Sequence, residues 1–185
     1  MKVCGHAADE VLRRKQVKFE VRVQAEESRR CVDSAAERGV PLHKIIKSMV
    51  FVCQSRGDEQ GSHNYLHCMV PGHCQVSRSK LEAHVGCECS LLDPDRMRSI
   101  TGADIGAVHP FVPGVSRRIL DQRVLANETI SFNSGDMKVG LIVKTEDFLD
   151  AFEGEITCAD IAYCEEDDYT PVAKVTIPYI RNKPV

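Results

Sequence analysis

"HKIIKSMVFVC", His43 to Cys53, reads as the most apolar strand of the chain. Ile45, Ile46, Met49, Val50, Phe51 and Val52 make it nearly continuous, which suits a strand covered on both faces. "SRGDEQGSHN" after it is a turn by composition, and "YLHCMVPG" reads as the returning strand. Upstream, "ADEVLRRKQ" reads as a short amphipathic helix and "VKFEVRV" alternates as a strand does. "EESRRCVDSAAERGVP" is a helix with a clear stop, Gly39 after its last turn and Pro41 beyond. Downstream, "SRSKLEAHVG" is a helix ending at Gly86. "LDPDRMRSITG" is another, with Asp93 as N-cap, Pro94 at the first helical position and Gly102 after its end.

"RRILD" and "ETISFN" read as strands, "SGD" as a turn and "KVGLIV" as the next strand. Thr145 is placed as the cap of the helix "EDFLDAF", which Gly154 follows, and "ITCADIAYC" is expected to close the core as one strand. The last twenty or so residues are polar and proline-punctuated, expected as a terminal extension. Helices and strands are mixed, and short turns join many strand pairs. That combination predicts an α+β fold with a largely antiparallel sheet or barrel.

A chain of 185 residues predicts one domain, 1–185, with a sizeable core. No apolar run approaches a membrane span, and the N-terminus lacks a signal-peptide core, so the cytoplasm is expected. Nine cysteines without a C-x-x-C pair favour reduced, buried thiols over a disulfide framework. The net charge of -3 hides an asymmetry: residues 1–145 hold 21 Lys and Arg against 17 Asp and Glu, residues 146–185 hold 3 against 10. A mildly basic body permits nucleic-acid contact without requiring it.

Lys47 lies inside the apolar strand. Such a lysine must reach water, a partner or an anionic ligand. "TGADIGAVHPF", Thr101 to Phe111, is too interrupted for a helix and too glycine-rich for a good strand. Within it Gly106 and Pro110 bracket Ala107, Val108 and His109 as G-x-x-x-P, a pattern that lets backbone approach a ligand but also occurs in plain turns. His109 is either a general base or a hydrogen-bonding loop residue. The Asn133–Asp136 turn is made of standard turn formers that can also hydrogen-bond a polar ligand. His63, His67, Cys68, His73, Cys74, His84, Cys87 and Cys89 fall within 27 residues. Their H-x-x-x-H spacing loses its zinc-binding geometry on a turn and strand, and His67 and Cys68 should point to opposite faces.

Taken together, "RGVPLHKIIKSMVF", "HCMVPGHCQVSRSKLE", "TGADIGAVHPF", "RILDQRVL", "NSGDMKVGLIVKTEDFLDA" and "EITCADIA" resemble, in order and spacing, the YbaK/prolyl-tRNA synthetase-associated domain family of aminoacyl-tRNA editing domains. The resemblance covers roughly residues 25–162. It implies a barrel-like mixed sheet flanked by helices and a trans-acting deacylase that hydrolyses the ester of mischarged tRNA, commonly tRNA for proline carrying alanine or cysteine.

The family's lysine maps onto Lys47, expected to hold the terminal adenosine and its phosphate. The family loop maps onto Gly106, Ala107, Val108, His109 and Pro110, which line the aminoacyl pocket with backbone. Lys47 and Gly106 are the implied catalytic pair. Ser48 and the loop, with Asn133, Ser134 and Asp136, are the implied substrate contacts. Here Ala107 stands where the family often has a second Gly, and His109 where it has a small residue, which leaves the amino-acid preference open. No cofactor or metal is implied. The implied partners are the acceptor end of mischarged tRNA and prolyl-tRNA synthetase, with no membrane; oligomeric state is not implied. An aminoacyl ester is already activated, so orientation and oxyanion stabilisation suffice without a catalytic triad. Two alternatives stand beside this reading: a non-catalytic tRNA- or nucleotide-binding module, and a zinc-dependent hydrolase built on the His63–Cys89 cluster.

Overall fold

The computed structural model describes residues 8–54 and 64–164, and the order of elements follows the sequence expectations closely. Helix α1 (Ala8–Arg14) leads into strand β1 (Phe19–Val23), and α2 (Cys31–Arg38) ends on Gly39 in the left-handed conformation. α2 starts at Cys31, later than its expected first residues, with Arg30 extended at the cap position and making no side-chain cap. A 3-10 turn (Leu42–Lys44) delivers the chain into β2 (Ile46–Gln54), which pairs antiparallel with β3 (Asn64–Pro71). Then come β4 (Cys74–Val76), α3 (Arg78–Val85), β5 (Glu88–Leu91) and α4 (Pro94–Thr101). After the 102–116 loop follow β6 (Arg117–Asp121), a 3-10 turn (Gln122–Ala126), β7 (Thr129–Asn133), β8 (Val139–Lys144) and α5 (Thr145–Asp150). β9 (Ile156–Ala159) and β10 (Ala162–Cys164) end the described chain.

The strands form three sheets: β5-β2-β3-β6-β9, β1-β8-β7 and β10-β4. Most pairs are antiparallel. β3–β6 and β6–β9 are parallel, so the sheet is mixed as expected. The five-stranded and three-stranded sheets meet through one parallel bridge, Ile45 to Ser131, and wrap a shared core without closing into a barrel. That core holds Leu12, Met69, Leu120, Ile130, Leu141 and Phe148, covered by α1 and α5. Phe111 enters it directly after the 102–110 loop. Its ring stacks on Phe152 at 4.7 Å and meets Phe132 and Phe148 at 6.2 and 6.0 Å.

Three expectations are corrected. Thr145 is not the cap of α5. It is the first helical residue, its hydroxyl donates to the Asn127 carbonyl, and Lys144 occupies the cap position. "ITCADIAYC" is two strands, not one. The chain breaks at Asp160–Ile161, where Ile161 and Ala162 donate their N–H groups to the buried Asp121 carboxylate, so β10 leaves the large sheet and joins β4. The thiols are not all reduced: Cys53–Cys87 and Cys74–Cys164 are disulfides, while Cys31, Cys68, Cys89 and Cys158 are free. Cys74 and Cys164 are directly opposite in the β4–β10 pair, a closeness that linear spacing does not reveal. The turn after Gln54 and the terminal extension lie outside the described residues.

Candidate functional site

A cleft of about 460 Å3 opens between α2, the start of β2, the β3–β4 turn and the 102–110 loop. That volume suits a small-ligand site. Lys47, Ser48, Gly106, Val108 and Asn133 all line it, joined by Ser28, Arg29, Arg30, Cys31 and Ser34 from the α2 side. Its wall carries three cations, Arg29, Arg30 and Lys47, and among the described residues no carboxylate. A second cleft, of about 490 Å3 between the α1–β1 turn and α5, contains none of the residues of the implied catalytic or substrate-binding set.

Lys47 resolves its place in an apolar strand by reaching past the sheet edge. Its Nζ donates to the Cys74 carbonyl at 2.6 Å. An ammonium has three N–H donors, so two remain for a ligand. Ser48 Oγ is shielded from solvent and has no partner among the described residues. Ser28 and Ser34 hydroxyls hydrogen-bond each other at 2.9 Å at the start of α2. Cys31 opens the same helix. Burial pushes its thiol up, against the charges of Lys47 and Arg38.

The loop is held from several sides. Ala107 N–H donates to the Asp104 carbonyl at 2.9 Å, closing a turn in which Gly106 has φ +90. That φ is glycine's region. Asn133 Nδ2 donates to the Gly106 carbonyl, and Arg38 Nη2 donates to Asn133 Oδ1. At the exit, Arg118 donates to the carbonyls of Pro110 (3.3 Å) and Val112 (2.9 Å).

The other expected contacts lie elsewhere. Ala107, His109 and Pro110 are buried and do not line the cleft. His109 Nδ1 accepts from the Phe111 N–H at 3.3 Å. Burial first, then the Arg118 charge, against a weaker pull from Asp9, holds its pKa down at about 4. Ser134 and Asp136 are spent inside their own hairpin, accepting from the N–H groups of Asp136 and Lys138.

Of the cysteine and histidine cluster, His63 lies outside the described residues. His67 is fully buried, with neither ring nitrogen partnered among the described residues, and burial followed by the Arg118 and His109 charges lowers its pKa to about 3. Among the described residues the ligand-capable groups that converge are Cys53, Cys87 and Cys89, and separately His73, Cys74 and Cys164. Each trio includes a disulfide, whose sulfurs lack the thiolate charge a metal needs. Among other basic side chains, Arg78 pairs with Glu82 and Lys80 with Asp160 away from the cleft, while Arg29 and Arg30 line it, Arg30 also lying 3.9 Å from the Asp33 carboxylate.

Sequence reasoning did not find Arg38. Its one trace was Gly140, a glycine inside the apolar strand "KVGLIV", where a missing side chain often marks a close approach. A Cβ there would collide with the Arg38 guanidinium.

A cationic cleft faced by a backbone-built loop and a strand lysine, on a mixed sheet flanked by helices, suits an anionic ligand. The aminoacyl-tRNA editing domain model matches residues 25–151, and the chain belongs to that family of aminoacyl-tRNA deacylases. The multifunctional Ser/Thr-tRNA deacylase ProXp-y of Escherichia coli K12 is 26% identical over 130 residues, 69% of this chain and 75% of that protein. Two crystal structures share the fold. One, of the hypothetical protein APE2540, has a TM-score of 0.74 at 16% identity, covering 84% of this chain and 98% of the other. The second, solved as a candidate trans-editing enzyme for prolyl tRNA synthetase, has a TM-score of 0.69 at 21% identity, covering 83% and 92%. Among the described residues no helix is long and apolar enough to cross a membrane.

Proposed function

We propose that the chain acts in trans, as a single-domain deacylase that hydrolyses the ester of mischarged tRNA bearing a small amino acid. The observation that carries this is the pairing of the Lys47 ammonium with the Gly106 loop across an acid-free cleft. Arg29, Arg30 and Lys47 receive the terminal phosphate and adenosine, an arrangement favoured by charge and by the short reach of the cleft. The aminoacyl group then lies against Gly106 and Val108. Backbone and buried dipoles orient the ester carbonyl for attack by water, and no protein nucleophile is required because the ester is already activated. His109 lies outside the cleft with its Nδ1 accepting from the Phe111 N–H, so its part is to support the loop.

The substrate proposed is tRNA for proline carrying alanine or cysteine, with prolyl-tRNA synthetase as the neighbouring enzyme. Serine and threonine enter as rivals through the relative's specificity. The Ser28–Ser34 hydroxyls and unpartnered Ser48 Oγ would suit a hydroxyl-bearing side chain. A pocket that hydrogen-bonds a hydroxyl discriminates far more strongly than one that only measures size.

The deciding experiment is a deacylation panel of several tRNAs charged with alanine, cysteine, serine or threonine. Release well above the buffer rate on at least one is expected. Tight tRNA binding with buffer-level release on all would instead establish a binding module.

A further inference from the structure

We propose that Arg38 is a positioning residue for deacylation: its guanidinium sets the Asn133 amide, and through it the Gly106 carbonyl, into the arrangement that faces the aminoacyl ester. The inference rests on the proposed function above.

Arg38 closes α2 and is 2% exposed. Its Nε and Nη2 donate to Gln24 Oε1 at 2.9 and 2.8 Å, Nη1 donates to Ser131 Oγ at 3.3 Å, and Nη2 also donates to Asn133 Oδ1. Among the described residues no carboxylate pairs with it, and Cys31 is the one charge-bearing neighbour that acts on it. Burial lowers its pKa to about 10, opposed by Cys31, which still leaves a cation at neutral pH. A buried cation held only by neutral dipoles is a poor device for stability, since an apolar side chain of equal size serves as well or better. Its use must lie in what it orients.

That use is directional. A guanidinium has donors and no acceptor. Facing Arg38, Asn133 can only present its carbonyl oxygen, so its NH2 turns the other way, to the Gly106 carbonyl. An amide that could otherwise flip is thereby fixed. The register explains how the cation fits: Asn133 lies opposite Gly140 in the β7–β8 pair, and the space of the absent Gly140 side chain is the space the guanidinium fills. Three walls of the cleft are coupled in this way: α2 with Cys31 and Ser34, β7 with Asn133, and the loop with Gly106 and Val108.

The test combines kinetics with amide hydrogen exchange of the 104–108 backbone in wild type, Arg38→Met, Arg38→Lys, Asn133→Ala and the Arg38→Met/Asn133→Ala pair. Arg38→Met is expected to lower kcat by about 10- to 100-fold, with KM changed by less than about threefold, because misorientation acts on the reacting geometry. Its melting temperature should not fall in step, and the Ala107 amide should exchange faster. In the Asn133→Ala background Arg38→Met should cost nothing further, which is the signature of one shared path. Arg38→Lys, which keeps the charge but not the fork, should resemble Arg38→Met and serves as the readable variant if Arg38→Met does not fold. Unchanged kcat and exchange, a loss that tracks melting temperature, or fully additive losses would each overturn the proposal. If wild type hydrolyses no mischarged tRNA, the proposed function has failed, and the exchange data alone then decide whether Arg38 orders the loop.

Discussion

Asp121 and Arg38 are both sealed from solvent, and their surroundings are opposites. Asp121 is fully buried at the end of β6, and its charge is completely answered. Oδ2 accepts from the N–H groups of Ile161 and Ala162 at 2.9 and 2.8 Å, and Oδ1 accepts from Arg123 N–H and its guanidinium. Arg38, beside the cleft, has only an amide, a hydroxyl and a second amide. The first arrangement closes a sheet junction, and the second orients a loop. A buried charge with a complete set of opposite partners marks architecture. One held by neutral dipoles next to a cleft marks a working part.

The largest effect that sharpens this contrast belongs to the cleft. Lys47→Ala should lower kcat/KM by about 100- to 1,000-fold, of the order found on removing one key electrostatic group, while urea unfolding stays within about 1 kcal/mol. Unimpaired deacylation by that variant would remove Lys47 from the site. Next, Asp121→Ala should cost about 3 kcal/mol in urea unfolding, because it orphans two buried N–H groups and an arginine contact. Folded Asp121→Ala protein should keep its kcat. A parallel loss of kcat would dissolve the distinction between the two charges.

His67 and His109 test a third solution, burial in the neutral form. Their folded pKa values, about 3 and about 4, lie below the unfolded value of about 6.5. The unfolded chain therefore binds more protons as pH drops through 6.5. Stability should be flat above that pH and fall below it by up to about 3 kcal/mol per pH unit for the two together, down to about pH 4. Replacing both with apolar residues should flatten the slope, and an unchanged slope would reassign it to other groups. The smallest effect is ionic. With three cleft cations, raising salt from 50 to 200 mM should weaken tRNA binding by about 20-fold, and charge removal at Arg29 and Arg30 should shallow that dependence.

The order of helices and strands was legible because apolar periodicity, Gly39, Gly86 and Gly102 are local signals. So was the unusual placing of Lys47, since a lysine within an apolar strand is conspicuous, and it does line the cleft. What escaped was tertiary. The break at Asp160–Ile161 depends on a carboxylate forty residues away. The Cys74–Cys164 pair depends on β10 changing sheets. His109 looked available for chemistry because it is the one histidine in a short, glycine-rich loop, yet it is buried between the Phe111 anchor and the carbonyls held by Arg118. Arg38 looked like one more charge at a helix end. Only the pairing of Asn133 with Gly140, set by the β7–β8 hairpin, makes room for it.

The single bridge between Ile45 and Ser131, where the two larger sheets join, also carries a message about time. Lys47 and Gly106 are synthesised well before Asn133 and Gly140. At ordinary ribosomal speed the stretch from Gly106 to Gly140 takes about 2–7 seconds. Throughout that interval the emerging chain has the lysine and the loop but no sheet edge on which Arg38 can settle. The parallel β3–β6 and β6–β9 pairings add long-range contacts of the kind that slow folding. Full hydrolytic competence should therefore arrive late, once β7 and β8 have formed the edge on which Arg38 settles.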